Sequence, residues 1–351
     1  MRKPSLDNLL SHAITCAAVV ALALVMCGAP SFAAPRQSAG AASQQQQGEP
    51  PAAAQQQAGD RVWAPPLAGA VMYTVDPSEA DPQIKRFDAW NIVSYRNDVK
   101  RDAPLLVWFS GTGGKPKDGR LFIELATNLG YRVIGLEYDN AISVPQTCGR
   151  NPDPACSDRF RQKRVFGDDV TNDIDDMPNE SIVNRLTKLL VYLDAQHHNE
   201  GWAQYLRNGE PHWSRIVVSG HSQGGGIAAY IAKKKSVARV IVLSGAWDRV
   251  EATKEWAPWV TSPSATPLDR WYAAYHQRES RADAMKLAYE ALKIPPEHIR
   301  MLTLDPNPLN KFPAGADVYH VSMIAPGVTP IDANGNPAYA ADWAFMLGSA
   351  K

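Results

Sequence analysis

The clearest chemical signal in this chain is a serine set among glycines where an apolar run meets a helical pattern. Residues 215–230 read RIVVSGHSQGGGIAAY, in which the central motif is Gly220-His221-Ser222-Gln223-Gly224. This order is typical of a nucleophile elbow, a sharp strand-to-helix turn that projects a hydroxyl from the end of a sheet. Small neighbours are needed because larger ones would collide in so tight a turn. The pattern predicts Ser222 as the nucleophile of an acyl transfer.

The elbow and its surroundings resemble the α/β-hydrolase superfamily, and more narrowly a group of bacterial secreted hydrolases whose elbow reads Gly-His-Ser-Gln-Gly. The resemblance spans roughly residues 104–348. It implies an α/β fold with a mostly parallel central sheet flanked by helices. Members are mostly esterases, lipases, polyester depolymerases and related acyl hydrolases, which use a serine, a histidine and an acid and need no cofactor.

The resemblance also implies an oxyanion hole made of two backbone N–H groups. Gln223, directly after the nucleophile, supplies the first. The second should come from the glycine-rich turn Ser110-Gly111-Thr112-Gly113-Gly114, which follows the apolar run of residues 105–109. Thr112 is the donor by position, with Gly113 as the alternative. A phosphate-binding loop is disfavoured because the Gly-x-x-x-x-Gly-Lys-Ser/Thr spacing is missing.

His320 is the predicted base, because the order along the chain in this superfamily is serine, acid, histidine. It is the only histidine after His298, and it precedes the helical pattern that closes the chain. His298 lies at the entry of a predicted strand, which is the wrong end of the sheet for chemistry. The order therefore favours His320, although a lone histidine is more often a packed or surface residue.

The acid is less well defined by the sequence. In the superfamily it commonly follows the second strand after the nucleophile, which here points to His276-Gln277-Arg278-Glu279 and to Glu279. Glutamate in place of aspartate is a departure, since the longer side chain must retract to reach the histidine. Asp248, one strand earlier, is the second choice and Asp305 the third.

These residues predict a secreted serine hydrolase, first of all a carboxylic ester hydrolase that forms an acyl-enzyme on a small-molecule or polymeric ester. Two alternatives stay open: a non-catalytic binding protein that has kept the fold, and a peptidase or amidase with the same machinery. The tryptophans between residues 247 and 271 would either line a pocket or pack a long loop. The sequence leaves the acyl and alcohol groups of the substrate and the oligomeric state open.

The elements that must position these residues alternate along the chain, which predicts a layered α/β sheet with crossover helices. Eight apolar runs are predicted as strands: residues 71–75, 91–96, 104–109, 131–138, 215–219, 238–244, 270–275 and 299–304. Helical patterns fall at residues 121–129, 180–197, 225–235, 280–292 and 341–347. In the helix of residues 180–197 the apolar residues share one face, and Arg185 falls on the other.

The composition excludes several classes of protein. Of the 351 residues, 45% are hydrophobic and 21% charged, which argues against wholesale disorder and collagen-like fibre. Lys plus Arg and Asp plus Glu number 36 each, so no overall positive charge exists to attract nucleic acid. We therefore expect no nucleic-acid partner.

The N-terminal region predicts export. Residues 1–34 resemble a secretory signal peptide, because Arg2 and Lys3 precede an apolar run that ends in small residues. A membrane anchor is disfavoured because about 17 uncharged residues barely span a bilayer. A lipid anchor at Cys27 is disfavoured because the preceding Met26 is bulky. We expect a secreted or periplasmic protein without a stable membrane span.

Two further segments follow from composition. Residues 35–60, rich in Gln, Ala and Pro, predict a disordered linker, and residues 61–351 then form one α/β-hydrolase domain. Outside the signal peptide the chain has two cysteines, Cys148 and Cys156. In an exported protein a disulfide between them is the natural interpretation, with free or metal-bound thiols as the alternative.

Overall fold

The computed structural model describes residues 68–307 and 317–348. The predicted signal peptide (1–34), the predicted linker (35–60) and the first residues of the predicted domain (61–67) lie outside this part of the chain. Within it, none of the helices is long and apolar enough to cross a membrane.

A central sheet of eight strands organises the described residues. The strands are β1 Ala70–Val75, β2 Asn91–Arg96, β3 Leu105–Phe109, β4 Arg132–Leu136, β5 Ile216–His221, β6 Arg239–Leu243, β7 Trp271–His276 and β8 Ile299–Leu302. Their order across the sheet is β1-β2-β4-β3-β5-β6-β7-β8. β2 runs antiparallel to both of its neighbours, and every other adjacent pair is parallel. The predicted fold class, an α/β fold with a mostly parallel central sheet of eight strands flanked by helices, is confirmed.

The helices fill the connections between the strands. They are α1 Pro77–Ala80, α2 Arg120–Asn128, α3 Val144–Cys148, α4 Cys156–Phe166, α5 Ile182–Gln196, α6 Gln223–Lys234, α7 Pro258–Thr261, α8 Ala282–Ala291, α9 Val318–Val321 and α10 Ala340–Leu347. A two-stranded ribbon, Leu206–Arg207 with Glu210–Pro211, lies outside the main sheet.

The middle strands are apolar along their length because helices cover both of their faces. In β3, Leu105, Val107 and Phe109 belong to one core cluster, whereas Leu106 and Trp108 belong to another. Alternate side chains of a strand point to opposite faces, so these two clusters are the two layers between sheet and helices. The layers fix the carboxyl ends of β3, β5, β6 and β7 side by side, and the candidate site residues follow these ends.

The predictions missed five of the helices in the described residues: α1, α3, α4, α7 and α9. α4 shows no helical period of apolar residues because several of its buried side chains are charged: Arg161, Lys163 and Arg164. Arg161 and Arg164 form buried ion pairs with Asp248 and Asp176. Burying paired charges instead of apolar groups removes the signal on which a sequence-based prediction depends.

The structure contains the predicted disulfide. Cys148, the last residue of α3, is bonded to Cys156, the first residue of α4, with their Cα atoms 5.7 Å apart. Both cysteines belong to a small apolar cluster with Val144, Phe160 and Ile174. The bond therefore closes a short loop at the point where the chain enters α4.

Replacing both cysteines with serine should lower the free energy of unfolding by about 2–3 kcal/mol, since a loop of this length restricts the unfolded chain to that extent. Urea unfolding of the double variant, followed by tryptophan fluorescence, measures this loss. Reducing agent should reproduce it in the wild type and have no effect on the variant. Equal stability of the two oxidised proteins would contradict the prediction.

Candidate active site

Ser222 lies at the end of β5 and caps the N-terminus of α6. Its backbone has φ 56° and ψ −118°, a conformation that non-glycine residues rarely adopt. Two hydrogen bonds hold it: Ser222 N–H donates to Leu243 O (2.9 Å), and Gly226 N–H donates to Ser222 O (3.1 Å). Strain that the surroundings maintain in this way is typical of functional sites.

The glycines around Ser222 are required by close backbone contacts. A Cβ on Gly220 would lie 2.4 Å from the carbonyl carbon of Gly224, and one on Gly224 would lie 2.0 Å from Phe109 O. A third glycine, Gly245, was not identified from the sequence; its Cβ would lie 2.4 Å from Ser222 O. Backbone segments that pack this closely leave no room for a side chain, which explains the spacing of the glycines in the motif.

The glycine-rich turn after β3 lies against the serine. A Cβ on Gly111 would approach Ser222 Cβ to 3.1 Å. Gly113 N–H donates to Asn140 Oδ1 (3.1 Å) and to Asn140 O (3.2 Å), so it is already engaged. The N–H groups of Thr112 and Gln223, by contrast, donate to no acceptor in the described part of the chain. Of the two donors considered from the sequence, the N–H of Gly113 is therefore engaged and that of Thr112 is not; the role of Thr112 as oxyanion donor stays a prediction.

The side chain of Gln223 ties the helix start to a neighbouring loop. In the amide orientation that satisfies both ends, it donates to Ile142 O (3.1 Å) and accepts from Arg164 Nη1 (3.1 Å). Arg164 in turn donates from Nε to Asp176 Oδ2 (2.8 Å). The contacts of Arg164 and Asp176 could not be predicted from the sequence, because they depend on how the segment between β4 and α5 folds back.

His320 and Glu279 form a hydrogen-bonded pair in which Glu279 is buried and His320 is half-buried. His320 Nδ1 lies 2.6 Å from Glu279 Oε2, and the Glu279 side chain is 0% exposed. Glu279 Oε1 accepts two more hydrogen bonds of 2.6 Å, from Ser244 Oγ and from the backbone N–H of His276. The side chain therefore curls back over its own turn, which is how the longer glutamate retracts. With Nδ1 engaged, Nε2 is the ring nitrogen left for proton transfer.

Asp317 joins the turn that carries the acid to the short helix α9 that carries the base. Its Oδ1 accepts from His320 N–H (3.2 Å), and its Oδ2 accepts from Ser280 N–H (2.6 Å). Burial raises the pKa of Asp317, but these hydrogen bonds outweigh burial and bring the pKa below its ordinary value. A stable carboxylate thus sets the distance between the two turns.

The other two carboxylates considered from the sequence have different partners. Asp248 is buried and accepts two hydrogen bonds from Arg161 (2.6 and 2.8 Å) and one from Trp259 Nε1 (3.0 Å). Asp305 is exposed and pairs with Arg278. The structure therefore brings Glu279, and neither of these aspartates, to His320.

His221 supports His320 from the other side. The two rings lie 4.4 Å apart, and His221 Nε2 donates to the carbonyl oxygen of His320 (2.9 Å). Burial holds the pKa of His221 well below its ordinary value, and the neighbouring His320 lowers it further. His221 is therefore a neutral hydrogen-bond donor at neutral pH.

Ser222 Oγ has no hydrogen-bond partner among residues 68–307 and 317–348, so its link to His320 is not formed in this structure. Such hydrogen bonds are often long in unliganded enzymes and tighten when substrate binds.

Of the tryptophans in the segment of residues 247–271, Trp247 lies against His320, with ring centroids 6.0 Å apart. Trp259 and Trp271 are buried in the core. Within the described ranges, no group of His, Cys, Asp or Glu could hold a metal ion.

No family model matches the chain, and no curated protein matches it. Three solved structures that it resembles are a bacterial heroin esterase, an inhibited esterase B from Lactobacillus rhamnosis and an esterase/lipase from an uncultured bacterium. Their sequence identities are 15%, 13% and 11%, and their TM-scores are 0.42, 0.40 and 0.40. The matches cover 85%, 71% and 87% of this chain and 90%, 80% and 94% of the other chains. At such identities function must be inferred from the residues of this chain.

The environment of His221 makes stability depend on pH. Unfolded His221 binds a proton near pH 6.5 and the folded residue does not, so acidification below 6.5 favours the unfolded state. We expect this residue to cost up to about 1.4 kcal/mol of unfolding free energy per pH unit until its folded pKa is reached.

Urea unfolding between pH 7 and pH 4.5 should show this slope in the wild type. In His221→Asn, which can still donate to His320 O but does not titrate, the slope should be smaller by up to that amount. Parallel stability curves for the two proteins would show that His221 is not the group responsible.

Proposed function

We propose that this protein is an exported serine hydrolase, and specifically a carboxylic ester hydrolase with Ser222 as nucleophile, His320 as base and Glu279 as acid. The observation that carries the proposal is the 2.6 Å contact between His320 Nδ1 and the fully buried Glu279 carboxylate. Because Nδ1 is held by a carboxylate, the histidine presents Nε2 and is stabilised when it gains a proton. This is the arrangement that a general base next to a serine requires.

The proposed reaction proceeds through an acyl-enzyme. His320 Nε2 accepts the hydroxyl proton of Ser222 while Oγ attacks the ester carbonyl carbon. The N–H groups of Thr112 and Gln223 hold the oxyanion. The carbon–oxygen bond to the alcohol then breaks, and the alcohol leaves with the proton from His320. Water attacks the acyl-enzyme in the same way, which releases the acid and restores the free serine.

The cost of this site argues for catalysis over simple binding. A strained serine, a buried carboxylate and a buried neutral histidine each reduce the stability of the fold, so their presence calls for a functional reason. A binding protein that had only kept the fold would gain stability by losing any of them. Free N–H groups at Thr112 and Gln223 beside that serine support the same choice, because an oxyanion would satisfy them.

The substrate we propose is an uncharged small-molecule or polymeric ester. Two apolar residues lie near the site: Trp247, whose ring lies against His320, and Ile142, an exposed residue whose carbonyl accepts from Gln223. Neither provides a charge for an ionic acyl group. We also propose export to an oxidising compartment, which the Cys148–Cys156 disulfide and the leader-like sequence of residues 1–34 support.

A fluorophosphonate probe should label the purified wild type, and short p-nitrophenyl esters should be hydrolysed. Ser222→Ala should abolish labelling and lower kcat by at least about 10³-fold. Ser157→Ala is the control, since Ser157 is a buried serine whose hydroxyl likewise has no hydrogen-bond partner within the described residues. Folded wild type that neither labels nor turns over any ester would refute the proposal. Labelling without ester turnover would direct the search to amides.

The assignment of the acid is tested by substituting each carboxylate. Glu279→Gln should lower kcat by about 10³- to 10⁴-fold, because the ring of His320 loses its partner and the proper tautomer. Asp305→Asn should leave kcat within about twofold, since Asp305 is an exposed partner of Arg278. Asp248→Asn should chiefly lower stability, by about 3–5 kcal/mol, because it leaves Arg161 buried and unpaired. A larger loss of kcat in Asp305→Asn than in Glu279→Gln would overturn the assignment.

A further inference from the structure

Ser244 lies directly after β6, one residue before the glycine that makes room for the carbonyl of Ser222. Its side chain is fully buried, and its backbone N–H donates to Ala274 O (2.8 Å) on β7. Its φ is 46°, in the left-handed region that favours glycine. The presence of a serine at such a position needs an explanation, since a glycine would adopt the same backbone conformation without strain.

Positive φ alone does not mark a function here, because Ala246, two residues later, has φ 66° and carries no polar group. What distinguishes Ser244 is the contact of its hydroxyl, which donates to Glu279 Oε1 at 2.6 Å. Glu279 Oε2 is the oxygen that meets His320 Nδ1. The hydroxyl therefore holds one end of the carboxylate whose other end faces the base.

We propose that Ser244 is a positioning residue of the hydrolase, whose hydroxyl fixes the Glu279 carboxylate in the plane and direction that Oε2 needs to reach His320. This inference rests on the proposed function. A glutamate has one more rotatable bond than an aspartate, so its carboxylate needs more anchoring to stay in one orientation. The backbone N–H of His276 supplies one anchor and Ser244 the second.

The hydroxyl also affects the charge of the carboxylate. A donor on Oε1 stabilises the ionised form and draws charge away from Oε2. When that donor is lost, more of the charge stays on Oε2, which faces His320 Nδ1. The pH profile of kcat/KM should then change, which is an effect that a purely structural serine would not produce.

The test compares two substitutions at Ser244 with a control two residues away. Ser244→Ala removes the hydroxyl and keeps the strain, whereas Ser244→Gly removes both. Ala246→Gly relieves a similar strain without removing a hydroxyl. Ser244→Cys keeps a similar shape with a weaker donor. Measurements are kcat and KM for p-nitrophenyl esters and the pH profile of kcat/KM.

We expect kcat to fall about 10-fold in both Ser244→Ala and Ser244→Gly with KM unchanged, and by less in Ser244→Cys. The acid limb of the pH profile of kcat/KM should move to higher pH in the first two variants. Ala246→Gly should keep the kcat and the pH profile of the wild type. Loss of activity in Ser244→Gly, where the strain has been removed, would place the effect in the hydroxyl.

Three results would overturn the inference. Wild-type kcat and pH profile in Ser244→Ala and Ser244→Gly, with normal probe labelling, would remove the role of Ser244 and leave the proposed function intact. A fall in activity that follows only the folded fraction, with an unchanged pH profile of kcat/KM, would make Ser244 structural. A wild type that neither labels nor hydrolyses esters would remove both the function and this role.

Discussion

The site depends on the approach of three backbone segments at the carboxyl ends of β3, β5 and β6. Phe109 O lies where a side chain on Gly224 would have to be, and Ser222 O lies where one on Gly245 would have to be. This packing holds Ser222 at a positive φ, at the point where β5 ends and α6 begins. The helix N-terminus then presents unpaired N–H groups to any developing negative charge. The proposed acid, base and oxyanion turn are all arranged around this point.

Much of the fold and part of the site could be predicted from the sequence, because the relevant signals were local. Unbroken apolar runs such as β3 and β5 indicated strands buried on both faces, and Gly220 to Gly224 indicated the elbow. Signals that depend on pairing across the fold were not readable. Arg185 was expected on the polar face of its helix, which is wrong: it is buried and paired with Glu180. The same limitation hid α4, Ser244 and Asp317, whose roles come from residues far away in sequence.

The choice among three carboxylates shows the difference clearly. Counting strands favoured Glu279, but Asp248 and Asp305 also followed strands on the correct side of the nucleophile. Only the partners separate them: Arg161 engages Asp248, Arg278 engages Asp305, and His320 engages Glu279. An arginine that pairs with a carboxylate occupies its hydrogen-bonding positions, so that carboxylate is not free to orient a histidine. Sequence order alone therefore does not identify the acid, and the partner of each competing carboxylate must be known as well.

The segment between β4 and α5 belongs to the site even though it contains no predicted reactive residue. The disulfide fixes the start of α4. From the last turn of this helix, Arg164 donates to Ile142 O and to the side-chain amide oxygen of Gln223. One turn earlier, Arg161 lies against α6, where a Cβ on Gly226 would be 2.5 Å from its Nη2. Two guanidinium groups on one short helix therefore contact the first two turns after the nucleophile, and each is neutralised by a buried aspartate. Because buried ion pairs contribute little net stability, their value lies in fixing geometry, here the position of the N–H groups beside Ser222.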